Sequence, residues 1–149
     1  MAVNILEHLK SLHTSAIDAR NGYREALKDA EGNGMTPLFR VMTTLHDRHA
    51  AELARELTKR NELADDEGSF MSVVHKTIMD MRSLFDGLNE SVLPGLIDGE
   101  KRNAARYDEA LKATDMPPHV TGLLTRQLDD LAKKIAFMET ERAAAEQAA

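Results

Sequence analysis

Cysteine is absent from the chain, and aromatic residues are scarce. Without thiols there is no disulfide, no thiolate nucleophile and no thiolate metal site, so histidines and carboxylates remain as candidate metal ligands. Glycine and proline are also few, and the abundant residues are Ala, Leu, Met, Glu, Lys and Arg, which favour helices over strands. The composition therefore predicts an all-α protein. The length of 149 residues predicts a single domain, residues 1–149, with a core of its own.

A basic surface and long apolar runs are lacking as well. The formal net charge is −6, and the Lys and Arg residues are spread along the chain, so we expect no nucleic-acid partner. The N-terminal segment carries the charged residue Glu7, so we do not expect it to be a signal peptide, which needs a continuous apolar core. No apolar run reaches the length of a membrane span. We therefore expect a cytoplasmic protein with no membrane partner.

Apolar residues recur at threes and fours over four long segments, which is the spacing of helices with one buried face. The pattern predicts helices at about residues 4–31, 36–61, 90–114 and 117–141, with Thr36 as the N-cap of the second. The long connection between the second and third helices contains a shorter helical pattern at about residues 69–85. Two antiparallel hairpins joined by one such crossover predict a ferritin-like four-helix bundle.

The two halves of the chain share an internal repeat. It reads IDARNGYREALK at residues 17–28 and IDGEKRNAARYDEALK at residues 97–112. The second copy is longer by about one helical turn, so both copies can turn the same side chains inward. At the place where the second copy carries Glu100, within an apolar stripe, the first copy carries Arg20, which has the opposite charge.

The chain resembles a family of bacterial ferritin-like four-helix-bundle proteins that is known only as a domain of unknown function. The residues that carry the resemblance are DARNGYREA at 18–26, GSFMSVVHKTIMDMRSL at 68–84, residues 96–111 and the two prolines at 117–118. The resemblance covers nearly the whole chain. It implies a ferritin-like bundle and little about activity.

A ferritin-like di-iron centre needs one Glu on each of two helices and Glu-x-x-His on each of the other two. Glu100 supplies one of these carboxylates, but Arg20 takes the matching place and would repel a cation. The second helix carries His49 and Glu52 in the reverse order, and the fourth carries Gln127 with no histidine in its bundle-forming part. Two of the four elements are therefore missing.

Two interpretations of Glu100 remain. In the first, Glu100 and Arg20 form a buried ion pair whose remaining donors and acceptors are satisfied by neighbouring side chains. The predicted core polar cluster then comprises Arg20, Tyr23, His49, Glu52, Glu100, Tyr107 and Gln127. In the second, a degenerate site holds iron or another divalent metal, and its predicted ligands are His46, His49, Glu52 and Glu100.

The first interpretation predicts a non-enzymatic structural or stress-linked protein with no catalytic residue and no cofactor, in which a polar cluster has replaced an ancestral metal site. The second predicts a metal-binding protein that handles iron through an incomplete site, and any enzyme activity would then be an iron-dependent oxidoreductase or ferroxidase activity. Arg20 favours the first. A homo-oligomer, in its simplest form a dimer, is compatible with both.

Overall fold

The computed structural model describes residues 5–29, 34–62, 90–113 and 115–148. Within these ranges the chain is helical and has no strand, so the predicted all-α class is confirmed. The four long helices are α1 (Ile5–Asp29), α2 (Thr36–Lys59), α3 (Leu93–Leu111) and α4 (Pro118–Ala148), and a 3-10 turn at Glu90–Val92 leads into α3. The helix predicted at about residues 69–85 lies outside the described residues.

The start of α2 differs from the prediction. The N-cap is Met35, which makes no side-chain capping hydrogen bond, so the N-cap predicted at Thr36 is wrong. The carbonyl of Met35 already accepts the first helical hydrogen bond, from the N–H of Phe39 at 3.0 Å, and this places Thr36 inside the helix. Pro37 lies in the first turn, where the N–H that proline lacks would have no helical partner.

The end of α2 is a Schellman motif. Asn61 has a φ of 62°, in the left-handed region that ends many helices. Its N–H donates to the carbonyl of Thr58 at 3.0 Å, and the N–H of Glu62 donates to the carbonyl of Leu57 at 3.0 Å. These bonds satisfy carbonyl groups that the end of a helix otherwise leaves without partners.

Helix α1 runs antiparallel to α2. Lys10, near the start of α1, pairs with Glu62, just beyond the end of α2, at 3.0 Å. Arg20, later in α1, pairs with Asp47, earlier in α2, at 3.2 Å. The two helices pack on each other more extensively than any other pair in the described ranges, as expected for neighbours joined by a short turn.

Helix α1 also runs antiparallel to α3. Ser15 accepts a hydrogen bond from Arg106, whereas Tyr23, later in α1, donates to Glu100, earlier in α3. Since α2 and α3 both run opposite to α1, they run parallel to each other.

Polar side chains form ion pairs between α2 and α4. Arg48 of α2 pairs with Asp130 of α4 at 3.1 Å, and Glu52, later in α2, pairs with Arg126, earlier in α4, at 3.1 Å. These helices are therefore antiparallel too. Their backbones approach each other less closely than those of α1 and α2 or of α3 and α4, which leaves a groove between them.

The core is apolar along the four helices, but it encloses several polar side chains. Its largest fully buried side chains are Tyr23, Phe39, Leu9, Ile17, Met42, Leu53, Leu57, Leu93, Leu96 and Ile97. Buried polar or charged residues in the described ranges are His13, Ser15, Asp18, His46, His49, Glu56, Glu100 and Gln127. Burying polar groups costs free energy unless they form hydrogen bonds, so the contacts of these side chains affect the stability of the bundle.

Helix α4 continues beyond the predicted end near residue 141 to Ala148. Met138 is its last buried residue, so the apolar pattern stops before the helix does. The remaining turns consist mainly of Ala and charged residues, which favour helix, and Arg142 bonds to Glu146 at 3.1 Å. None of the helices in the described ranges combines the length and the apolar character needed to cross a membrane.

Candidate functional site

Glu100 is a carboxylate with no exposed surface. It lies on the buried face of α3, as the helical period predicts. Its Oε2 atom accepts hydrogen bonds from the hydroxyl of Tyr23 at 2.7 Å and from Nε2 of His46 at 2.8 Å, and its Oε1 accepts one from the amide of Asn103 at 3.0 Å. These four residues, here called the Glu100 cluster, join α1, α2 and α3 at one carboxylate.

The donors of the cluster keep Glu100 ionised in spite of its burial. Removal from water raises the pKa of this carboxyl. The charge interaction with His46 and the hydrogen bonds from His46, Asn103 and Tyr23 lower the pKa by a larger amount, so it lies below the usual value. An ionised carboxylate can only accept hydrogen bonds, so Nε2 of His46 carries a proton.

Tyr23 is the donor from α1, and its ring is held by aromatic neighbours. It stacks on the ring of His46 with centroids 5.8 Å apart and an interplanar angle of 12°, and its centroid lies 6.2 Å from that of Phe39. Burial makes the largest contribution to raising the pKa of Tyr23 well above its usual value, and the charge of Glu100 and the hydrogen bond to it raise it more. The hydroxyl therefore keeps its proton and remains a donor.

Arg20 does not pair with Glu100. Its guanidinium bonds to the side chain of Asn21 at 3.1 and 3.2 Å and to Asp47 of α2 at 3.2 Å. The ion pair predicted between Arg20 and Glu100 is therefore wrong, and the Glu100 cluster takes its place. The physical reason is that the long arginine side chain can reach an acceptor closer to solvent, since the Asp47 side chain is 59% exposed, and so loses less hydration.

Three further residues of the predicted polar cluster form a separate chain of hydrogen bonds. The hydroxyl of Tyr107 donates to Oε1 of Gln127 at 2.7 Å, and the Gln127 amide donates to Oε1 of Glu52 at 2.9 Å and to the backbone carbonyl of His49 at 3.4 Å. Gln127 has no exposed surface, and burial raises the pKa of Tyr107. This chain joins α3, α4 and α2.

The side chain of His49 makes no hydrogen bond to either group within the described residues, although its ring lies edge-on to that of His46 with centroids 6.2 Å apart. Its Nε2 bonds to Oδ2 of Asp130 at 3.1 Å, and the same oxygen pairs with Arg48 at 3.1 Å. Burial lowers the pKa of His49 more than the hydrogen bond to Asp130 raises it. In the described ranges its buried Nδ1 has no hydrogen-bond partner. The sequence prediction thus places His49 in the core correctly but not its contacts.

A sequence model of the protein family described as "Domain of unknown function (DUF2383)" matches residues 4–113. The chain belongs to this family. The predicted membership of a family known only as a domain of unknown function is thereby confirmed. The DUF2383 match spans α1, α2 and α3 with the complete Glu100 cluster, whereas α4, with Gln127 and Asp130, follows it. No curated protein matches the chain.

The predicted metal ligands of this DUF2383 chain do not converge. His46 contacts Glu100, but Nε2 of His49 bonds to Asp130, and Glu52 accepts a hydrogen bond from Gln127. Over the part of the chain that the structure describes, no group of three or more histidine, aspartate or glutamate side chains is placed to hold a metal ion. These residues therefore do not fit the ligand set that a di-iron centre requires.

Two residues that complete the polar contacts were not predicted as part of them. Asn103 follows Glu100 by three positions on α3, and Asp130 follows Gln127 by three positions on α4. Side chains at this spacing meet on a helix surface, so the signal is present in the sequence. It is weak because polar residues at the same spacing also form solvated faces.

Proposed function

We propose that this chain is a non-enzymatic structural protein in which a buried hydrogen-bonded cluster occupies the place of an ancestral metal centre. One observation supports this most strongly: the Glu100 carboxylate is fully buried, and donors from three helices bond to it. A carboxylate in this environment orients the helices, because each donor can reach it in only one arrangement of the bundle.

A ferritin-like topology is part of the same proposal. Helices α2 and α3 run parallel, so the end of α2 and the start of α3 lie toward opposite ends of the bundle. Helix α2 has 24 residues and is therefore about 36 Å long, a distance that residues 60–92 can cover. One long connection between two antiparallel hairpins is the arrangement of ferritin-like bundles.

The accessibility of the polar residues argues against catalysis. Tyr23, His46, Glu100 and Gln127 are at most 2% exposed, and each of them bonds to other protein groups. A catalytic group has to contact a substrate, whereas these side chains contact one another. The cluster therefore serves the fold and its specificity rather than a reaction.

Metal binding is the second candidate, and the direct contact between His46 and Glu100 favours it, since both are metal-ligand types. More ligands would be required. Glu52 would have to leave Gln127, and His49 would have to use Nδ1 or give up the bond from Nε2 to Asp130, so binding through these residues would cost at least one hydrogen bond that the folded protein already makes.

Elemental analysis of protein purified without a His tag separates the two candidates, together with optical measurement of ferrous iron oxidation in air. We expect less than stoichiometric metal and oxidation no faster than in buffer. The matched variants are Glu100→Gln in the core and Glu109→Gln on the surface of the same helix. Stoichiometric metal or accelerated oxidation that Glu100→Gln removes and Glu109→Gln preserves would overturn the proposed function.

A further inference from the structure

A groove lies between α2 and α4, next to the Arg48–Asp130 pair. It has a volume of about 360 Å³. Four cationic side chains line it, with a single carboxylate among them: Arg40, Arg48, Lys133, Lys134 and Asp130. Its volume is in the range of small-molecule sites, which is about 300–1,000 Å³.

The lining of the groove carries more cationic than anionic side chains, although the formal net charge of the chain is −6. Arg48 is paired with Asp130, and Lys133 with Asp129 at 3.0 Å. Arg40 and Lys134 form no ion pair with any residue in the described ranges. Two cations, one from each helix, are therefore available to an anion, and the arginine offers the paired donors that suit phosphate and carboxylate groups.

Two exposed apolar side chains lie on the helices that form the groove, and one of them, Val41, is part of its lining. Val41 is 43% exposed and Phe137 is 48% exposed, and they are the exposed large hydrophobic residues of the described ranges. Val41 precedes Arg48 on α2 by about two helical turns, and Phe137 follows Asp130 on α4 by about two helical turns. Since α2 and α4 are antiparallel, Val41 and Phe137 come to the same level of the bundle. An apolar surface therefore adjoins the cations Arg40 and Lys134.

We propose that this groove binds a small anionic amphiphile, a molecule with a phosphate, sulfonate or carboxylate group and an apolar body. The anionic group lies between Arg40 and Lys134, and the apolar body covers Val41 and Phe137. A second copy of the chain, related by twofold symmetry, would bring the same cations together and is disfavoured. The inference is independent of the function proposed for the Glu100 cluster.

Binding of 8-anilinonaphthalene-1-sulfonate, followed by fluorescence, tests this site, and uncharged N-phenyl-1-naphthylamine is the matched probe. The test variant is Arg40→Gln with Lys134→Gln. The control, Arg24→Gln with Arg102→Gln, removes the same net charge from exposed positions on α1 and α3. Urea unfolding establishes that each variant is folded.

The proposal predicts one sulfonate probe per chain, displaced by inorganic phosphate. It predicts binding weakened about ten-fold in the groove variant and less than about two-fold in the control. The affinity for the uncharged probe stays the same in all three proteins. Equal weakening in the two variants, or a parallel loss of the uncharged probe, would overturn the proposal.

Sedimentation with phosphatidylglycerol vesicles distinguishes two sources of the amphiphile. Cosedimentation that the groove variant loses and the control retains supports the proposal, with the headgroup of an anionic lipid as the ligand. Probe binding without cosedimentation supports it with a dissolved compound as the ligand. If the wild-type protein binds neither the sulfonate probe nor the vesicles, the groove is not an anion site.

Discussion

At Glu100, the cost of removing a carboxylate from water is offset by hydrogen bonds from Tyr23, His46 and Asn103. A hydrogen bond to a charged group contributes about 1.5–3 kcal/mol, roughly twice the contribution of a neutral one. When the carboxylate is removed, the same donors destabilise the folded state, because all three remain in the core without their acceptor. Single substitutions here should therefore have larger effects than their size suggests.

Glu100→Ala should lower the free energy of unfolding by about 3–5 kcal/mol, since it leaves His46 and two other donors without their acceptor. Urea denaturation measures this change. Glu109→Ala is the control on the same helix, because the Glu109 side chain is 72% exposed and pairs only with Lys112 at 3.5 Å among the described residues. Its effect should stay within about 0.5 kcal/mol, and equal effects of the two substitutions would contradict the cluster.

Arg20→Ala and Glu100→Ala should act independently. Arg20 bonds to Asp47 and Asn21 rather than to Glu100, so the loss in the double variant should equal the sum of the single losses to within about 0.5 kcal/mol. Equilibrium unfolding of the four proteins in the cycle provides the comparison. If the double variant is more stable than the sum of the single losses predicts by over about 1 kcal/mol, the result would support the ion pair predicted from the sequence.

At the scale of the helices, the ends of α2 show that backbone geometry decides where a helix stops. Asn61 accepts a positive φ that most residues resist, and this allows the Schellman hydrogen bonds of Asn61 and Glu62 to form. The start of α2 has no side-chain cap. The end is therefore the more sensitive of the two boundaries.

Asn61→Ala should destabilise the protein by about 1–2 kcal/mol, because alanine has a Cβ atom and no side-chain amide to support the left-handed conformation. Asn61→Gly should be neutral within about 0.5 kcal/mol or stabilising, since glycine adopts this conformation freely. Thermal unfolding of both variants distinguishes them. Equal destabilisation by alanine and glycine would show that the Asn61 side chain matters and not its φ.

The sequence predicts the four long helices and their buried faces well and the polar contacts poorly. Periodicity determines which side of a helix faces inward, and it places Glu100, Tyr23 and Gln127 in the core. It does not determine where a long side chain ends, and Arg20 accordingly reaches Asp47 instead of Glu100. Nor does it distinguish Asn103, which bonds to Glu100, from the solvated polar residues around it, because polar residues three positions apart also occur on solvated helix faces.

For the whole molecule, polar side chains make hydrogen bonds that link all four long helices. The Glu100 cluster joins α1, α2 and α3, and the hydrogen bonds of Gln127 and Asp130 join α4 to the others. Several of these contacts require ionised carboxylates. Stability of the bundle should therefore depend on pH.

Glu100 should make the protein more stable above its ordinary carboxyl pKa, about 4.3, than below it. Its pKa is lowered in the folded state, so the unfolded chain takes up the proton first, and the contribution is lost as the pH falls through the lower folded pKa. Glu100→Gln should make the decline below this pH shallower by up to about 1.4 kcal/mol per pH unit. Urea unfolding at a series of pH values, with Glu109→Gln as the control, measures the slopes, and identical slopes would contradict an ionised Glu100.

The double-mutant cycle of Tyr23→Phe with Glu100→Gln tests the central claim most directly, because it measures what the charge of the carboxylate contributes to the hydrogen bond from the hydroxyl. The account predicts that the double variant is less destabilised than the sum of the single variants by about 1 kcal/mol. The matched cycle of Tyr107→Phe with Glu100→Gln should be additive, since Tyr107 donates to Gln127. Additivity in both cycles, measured by urea unfolding, would contradict the claim that the Glu100 cluster holds the bundle together.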